Sequence, residues 1–503
     1  MSTTASTTQA DIAGLKSAVD CPVILPGERH YDLERHVWNA DIDRSPAAIV
    51  SCRSAQDVSR ALTWSLQNGY EVTVRGGGHN LAGTAVIDGA VLLDTGPMKE
   101  VTFDHAAGTV TAGAGCRLGD LDRACAEHGV VVPAGTVSHT GVAGLTLGGG
   151  TGYLSRMYGL TTDHVVEVEF VVADGRILTV NENEHPELFW AVRGAGHNYG
   201  IATKFTFRYT PFTMKANVRQ AFYVGEDRKR VLQHFRDWSY DAPDNVVTYA
   251  RTVEVPSYWS VVPARYRGSQ VVSVATIHWG DADESRRLTD DMIGSGSPVW
   301  QTEYQVPHVE LQRACDDDFR YGVRRYWKNS MLNEFPDEAI DTVLKWSDAY
   351  PGRPLQARST IAPHFACPYQ LYPRGGQAAR VDPMATSTSD RTSAKFMASA
   401  GAEWEFPSEA PELMDWVSAF DAEMDPYKNG TYINFTSVAG DEAAARYAYG
   451  DKYDRLVAVK REYDPHNVFR RGLVDLSDHE DGDGADGVGG DGGDGGDGDD
   501  AGA

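Results

Sequence analysis

Apolar and polar positions fall into readable blocks over the first 210 or so residues. Ala47 to Cys52 is a short apolar run with strand character, and Ser54 follows as an N-cap with Asp57 three residues on. Val58, Ala61, Leu62, Ser65 and Leu66 then recur at helical spacing up to Asn68-Gly69, a helix stop. Glu71 to Val74 is the next strand, so this stretch predicts a β-α-β unit. A second helix is predicted from Arg117 to His128, with Leu118, Leu121 and Cys125 on one face and Gly129 ending it. Val165 to Val172 and Ile177 to Val180, joined through Asp174-Gly175, predict a hairpin. From Phe212 to Asn429, strand-like runs (Val271 to His278) alternate with helical ones (Asp337 to Trp346), the pattern of a separate α+β domain. Asp441 to Tyr463 reads as helical and ends before Pro465.

Length and charge narrow the classes. At 503 residues the chain exceeds a single core, so two or more domains are expected. A formal charge of −25 repels phosphate backbones and argues against a nucleic-acid partner. No stretch approaches 18 uncharged apolar residues, so no membrane span is expected. Met1 to Ala10 has neither an apolar core nor paired arginines, which makes the cytoplasm the expected compartment. The basic residues are 35 Arg and only 11 Lys. High acid with low Lys is the balance expected of adaptation to concentrated salt, where screening tolerates a like-charge excess. From Asp475 onward eleven acids and eleven glycines accompany no Lys or Arg, and this tail is expected to be disordered. It lacks the apolar position of calcium-binding β-roll repeats. Removing its eleven negative charges leaves −14, so the acidity extends to the folded body. The six cysteines (Cys21, Cys52, Cys116, Cys125, Cys315, Cys367) show no CxxC and no zinc spacing; buried free thiols are expected.

Candidate chemistry lies in three glycine clusters. Arg75-Gly76-Gly77-Gly78-His79-Asn80 follows a strand; Gly135, Gly141, Gly144, Gly148-Gly149-Gly150 and Gly152 follow the second helix; Gly194 to Gly200 is the third. Residues without Cβ let successive N–H groups converge on an anion, the geometry suited to a pyrophosphate. No GxGxxG sits between a strand and a helix, and no GxxxxGK[ST] occurs, so a dinucleotide here needs a different fold from those fingerprints.

These residues resemble a known family. Arg75 to Asn80, Pro133-Ala134-Gly135 through Gly152, Phe189 to Gly194 and Asn198 to Thr203 are similar to the PCMH-type FAD-binding domain of vanillyl-alcohol-oxidase-type flavoproteins. Tyr432-Ile433-Asn434-Phe435, Tyr449-Gly450 and Tyr463-Asp464-Pro465-His466-Asn467-Val468-Phe469 resemble the closing segment of berberine-bridge-enzyme-like oxidoreductases. The resemblance implies an α+β protein: an FAD domain of two α+β subdomains with an inserted substrate domain of antiparallel sheet and helices. The expected boundaries are an N-terminal extension 1–30, the first part of the FAD domain 31–212, the substrate domain 213–429, a closing segment 430–474 and the tail 475–503.

It also implies roles. His79 is the expected covalent attachment point of FAD. Val137 stands where doubly linked relatives carry a cysteine, so no second link is expected. Arg75, Gly76, Gly77, Gly78, Asn80, Gly83, Gly135, Thr136, His139, Thr140, Gly141, Gly144, Gly148, Gly149, Gly150, Gly152, Ile201, Tyr432 and Asn434 are the expected cofactor neighbours. Tyr432 and Asn434, alternating on an expected strand, lie by the flavin, with Tyr432 as base for a substrate hydroxyl or else a core aromatic. A phenol needs a nearby cation for that task, and Arg391 or Lys395 are the candidates. Glu403 and Glu405 are alternative bases. His79, His139 and His197 make no recognisable metal set. Lys460 and Arg455 on the last helix read as packing or surface charge. The implied activity is oxidation of an alcohol or sugar-type hydroxyl by hydride transfer to flavin N5, with dioxygen or another acceptor as oxidant. The alternatives are a non-catalytic FAD-binding protein, which an alcohol panel under anaerobic conditions separates, and an NAD(P)H-dependent flavin reductase, for which no second nucleotide motif exists.

Overall fold

The computed structural model describes residues 11–353, 369–435, 437, 442–472 and 474. The expected disordered tail and Cys367 lie outside these residues. Among the described residues three larger sheets organise the chain, beside a two-stranded ladder of Val130–Val131 with Thr210–Pro211. The first has the order Val23–Ile24, Ala48–Ser51, Val91–Asp94, Val72–Arg75. Its helix, Ala55–Gln67, starts at Ser54, whose side chain accepts from the Asp57 N–H, and stops at Asn68 before Gly69 at φ +76°. The expected β-α-β unit is present with one difference: Val91–Asp94 inserts between the two strands and runs parallel to both. Every residue of that strand is buried, so it carries no alternation for a sequence to display.

The second sheet is antiparallel, in the order Val101–Asp104, Thr109–Gly113, Gly200–Arg208, Val165–Val172, Ile177–Asn181. The last two strands form the expected hairpin, turned at Gly175 with φ +85°. The third sheet has eight antiparallel strands between Lys215 and Gly430. Its parity explains why this region reads poorly. Ala221, Tyr223, Ala250, Val272, Val274, Ala398 and Ala400 pack against the helices Asp227–Ser239, Ala282–Ile293, Asp337–Asp348 and Ala410–Glu423. Their odd-even neighbours Val218, Val247, Tyr249, Ile277 and Trp279 pack on Tyr153, Leu154 and Phe212 of the glycine-rich part. Burial on both faces erases the period-2 signal.

The closing segment returns to the second sheet. The expected helical stretch Asp441 to Tyr463 is two helices, Glu442–Tyr449 and Tyr453–Tyr463, broken at Gly450 with φ +54°. Ala445, Tyr449, Tyr453, Leu456 and Tyr463 join one core with Leu188, Trp190 and Phe205. Tyr432 and Asn434 are not on a strand: Ile433–Phe435 is a single 3-10 turn.

Candidate functional site

The Arg75 to Asn80 loop and the Gly135 to Gly144 loop converge. Gly76, Gly77, Gly78, His79 and Asn80 leave the strand Val72–Arg75 and, with Gly135, Thr136, Thr140, Gly141 and Gly144, line a cavity of about 340 Å³. Ile201 and Asn434 complete this wall, and Trp38, Phe319, Trp327, Tyr372 and Phe435 line the same cavity with aromatic rings. The two loops pack backbone on backbone: a Cβ on Gly77 would lie 2.2 Å from Gly141 N, and one on Gly141 would lie 2.4 Å from Gly77 N. Only glycine fits that approach.

His79 is fixed by its neighbours. Trp38 stacks on the imidazole with centroids 4.7 Å apart, and Tyr321 meets it edge-on at 5.6 Å. Arg325 lies 4.1 Å from the Trp38 ring centroid and pairs with Glu403 at 2.7 Å. His79 Nε2 is 2.7 Å from His139 Nδ1, and His139 Nε2 is 3.3 Å from the Asp316 carbonyl. A carbonyl only accepts, so His139 Nε2 carries its hydrogen and Nδ1 is bare; His79 Nε2 therefore donates to it. That leaves the lone pair of His79 on Nδ1, 3.5 Å from the Thr140 hydroxyl. Burial holds the His79 pKa well below its ordinary value, and the positive charges of Arg325 and Arg117 act in the same direction. His79 is a neutral imidazole.

Tyr432 is buried behind the lining residue Asn434. Its oxygen accepts from the Gly150 N–H at 2.9 Å and from Asn434 Nδ2 at 3.0 Å. Asn434 Nδ2 also donates to the Leu145 carbonyl at 3.0 Å. Burial pushes the phenol pKa up, while Asn434, the Gly150 N–H and the positive charge of Arg374 pull it down. Arg374 is itself pushed down to about 10 by burial and by neighbouring Arg391.

An FAD-binding-domain family model matches residues 46–181, and a model described as berberine and berberine like matches 431–472. An FAD-linked oxidoreductase of Dictyostelium discoideum is 30% identical over 437 residues, covering 86% of this chain and 89% of its own. The chain belongs to the berberine-bridge-enzyme-like FAD-linked oxidoreductases. The (R)-6-hydroxynicotine oxidase of Paenarthrobacter nicotinovorans is 29% identical over 453 residues, 89% of this chain and 95% of that one. The solved xylooligosaccharide oxidase of Myceliophthora thermophila superposes with a TM-score of 0.77 at 21% identity, covering 92% of this chain and 98% of that one; at that identity the likeness is one of fold. The fold is thus the α+β, PCMH-type FAD-binding architecture.

The residues of this FAD-linked oxidoreductase suit the cofactor. A Cβ on Gly144 would meet nothing within 4 Å, and Gly76, Gly77, Gly78, Gly135 and Gly141 line the same wall without a side chain of their own. Not every glycine serves that wall. Gly148, Gly149, Gly150 and Gly152 do not line the cavity; Cβ atoms there would meet Asn434, Thr388, Thr161 and the Ala134 carbonyl, at 2.1, 3.2, 2.2 and 1.9 Å. Gly148, Gly149 and Gly150 form the bed for Tyr432 and Asn434, whereas Gly152 packs on the Ala134 backbone. Gly83 turns at φ +71° against Ile42, and Arg75 binds Asp94 at 3.1 Å and the His36 carbonyl at 3.3 Å, anchoring the loop from below.

The charges expected beside Tyr432 are engaged elsewhere. Arg391 clasps Asp163 at 2.8 and 2.5 Å, and Lys395 pairs with exposed Glu334 at 2.6 Å. Arg374 takes the place of both. Glu403 is bound to Arg325, and the strand ends at Trp404, which leaves Glu405 on the surface; neither lines the cavity. His197 lines the cavity, while His79 and His139 touch each other; among the described residues no group of three or more His, Cys, Asp or Glu is arranged for a metal ion. Trp38, Asp316, Tyr321, Arg325 and Arg374 escape a sequence reading, because no motif marks them. Asp316 accepts from Ser138 N at 2.9 Å across 178 residues of chain, a contact that only the fold creates.

Proposed function

We propose that this oxidoreductase carries FAD on His79 and oxidises a small, ring-bearing donor at a hydroxyl group, passing electrons to dioxygen or another acceptor. The observation that carries this reading is the bare Nδ1 of a neutral imidazole set among the glycines that wall the cavity. Bound FAD supplies the two-electron acceptor. Trp327, Tyr372 and Phe435 offer flat apolar faces to a sugar or heteroaromatic ring. Relatives named for a hydroxynicotine and for xylooligosaccharides fall within that range. Tyr432 takes the hydroxyl proton at its oxygen, where the Gly150 and Asn434 donors favour the ionised form. Absorbance at 450 nm under anaerobic conditions, followed with a panel of sugars and alcohols, tests the reading; a flavin that no hydroxyl donor bleaches defeats it.

The His79–His139 contact has its own consequence. Attachment of His79 through Nδ1 builds positive charge on the imidazole, and His139 Nδ1 is placed to take the Nε2 proton. His79→Ala is expected to hold flavin that acid precipitation releases. His139→Ala is expected to slow attachment about 10²-fold, read as fluorescence of the denatured protein band against time after adding FAD to apoprotein.

The pH dependence follows from the charges on Tyr432. The base works when deprotonated, and burial raises its pKa, so reduction speeds up as pH rises through an alkaline limb. Arg374→Met removes a positive charge that lowers this pKa. The limb is expected to move to higher pH in stopped-flow reduction, and an unmoved limb separates Arg374 from the base.

A further inference from the structure

We infer that Cys21 and Cys52 form a dithiol–disulfide couple that clips the N-terminal segment to the sheet carrying the His79 loop. The register places them face to face. Val23 pairs with Val50 and Ile24 with Ile49 in antiparallel sense. Ser51 N donates to the Pro22 carbonyl at 2.9 Å, which extends the pairing one step beyond the strand and puts Cys21 opposite Cys52. The Cys52 N–H turns the other way, to the Asp94 carbonyl at 2.9 Å. Cys21 and Cys52 are therefore a non-hydrogen-bonded pair, whose Cα atoms stand about 4.5 Å apart. Disulfides span Cα separations of about 4.4–6.8 Å. Both side chains enter one core with Val50, Val58 and Leu62, so they share a face of the sheet.

The two thiols also differ in a way that gives the couple a direction. Cys52 Sγ donates to the Val50 carbonyl at 3.6 Å, and the neighbouring Cys52 thiol holds the Cys21 pKa below its ordinary value, while Cys21 and burial raise that of Cys52. Cys21 is the more accessible, at 7% exposure against 0% for Cys52. Cys21 is thus the attacking sulfur. With hydrogen peroxide as oxidant, the Cys21 thiolate takes one peroxide oxygen to give a sulfenic acid, and the second oxygen leaves as water after protonation. The Cys52 sulfur then bonds to Cys21 and displaces the hydroxyl as a second water, so two thiols and one peroxide yield one disulfide and two waters. Because Cys52 is tied to Asp94 through its N–H, and Asp94 binds Arg75, the closed clip braces the strand end from which the His79 loop departs.

The test uses the full-length protein. Samples treated with hydrogen peroxide or with dithiothreitol are alkylated under denaturing conditions and mapped by mass spectrometry. A Cys21–Cys52 cross-linked peptide, 2 Da lighter than its separate parts, is expected only in the oxidised sample, with a rise in Tm that dithiothreitol reverses. Cys21→Ala is expected to lose the cross-link and the redox-dependent Tm change together. Both cysteines recovered alkylated after peroxide, Cys21 recovered as sulfinic acid without a cross-link, or either cysteine linked to another partner overturns the inference. It stands or falls without reference to the flavin chemistry, since it is read from peptides and melting rather than turnover.

Discussion

Replacing Tyr432 by phenylalanine lowers the rate of flavin reduction by the donor about 10²- to 10⁴-fold and leaves the visible flavin spectrum in place. The phenol oxygen is the only atom removed, and the two hydrogen bonds it accepts identify what else changes. The Gly150 N–H loses its acceptor, whereas Asn434 retains the Leu145 carbonyl. One unsatisfied buried donor costs about 1–3 kcal/mol of stability. A melting curve therefore accompanies the stopped-flow trace, and a small drop in Tm with a large drop in reduction rate is the expected pair. Reduction at the parent rate moves the base to another group. Glu403 is a poor heir to that role because it neutralises Arg325 in the stack that holds His79.

Lys460→Met is the substitution with the largest expected effect on stability. Lys460 and Asp464 are both fully buried and pair at 2.7 Å. The ammonium also donates to the carbonyls of Asn198 at 2.7 Å and Phe469 at 3.0 Å. Asp464 accepts from the N–H groups of Val468 and Phe469 at 2.7 and 2.9 Å. Losing the cation strands a buried carboxylate and two carbonyls, which costs about 3–5 kcal/mol. The double change Lys460→Met with Asp464→Asn is expected to recover part of that loss, because it removes the stranded charge. Chemical denaturation of the two variants checks this, and equal stability of Lys460→Met and parent contradicts it. A functional echo is expected as well: Val468, Phe469 and Gly472 line the cavity, so loosening this clasp weakens retention of any flavin that is not covalently held.

Local chemistry was legible where the chain announces it. The helix after Ser54 obeys its capping residues, and Gly175 and Gly69 stop elements where left-handed backbone is required. The RGGGH run and the loop through Gly144 meet at one cavity, because residues without side chains are placed where two backbones meet, as Gly77 and Gly141 do. The same rule misled at Gly148 to Gly152. A glycine shows that something comes close, but the close neighbours there are Asn434, Thr388, Thr161 and the Ala134 carbonyl.

The class of protein, an α+β flavoprotein, followed from the sequence through its resemblance to a known family, carried by the glycine runs and by the Tyr-x-Asn and Asp-Pro-His-Asn runs of the closing segment. Which charge serves which site was decided by tertiary structure alone. Arg374, Arg391 and Lys395 are equivalent as letters, yet Asp163 claims one, Glu334 another, and only the third is left to act on Tyr432. The tautomer of His79 likewise depends on a carbonyl 177 residues beyond His139. Helix and strand signals arise from neighbours a few positions apart, whereas Coulomb forces and hydrogen bonds act between groups that only folding brings together.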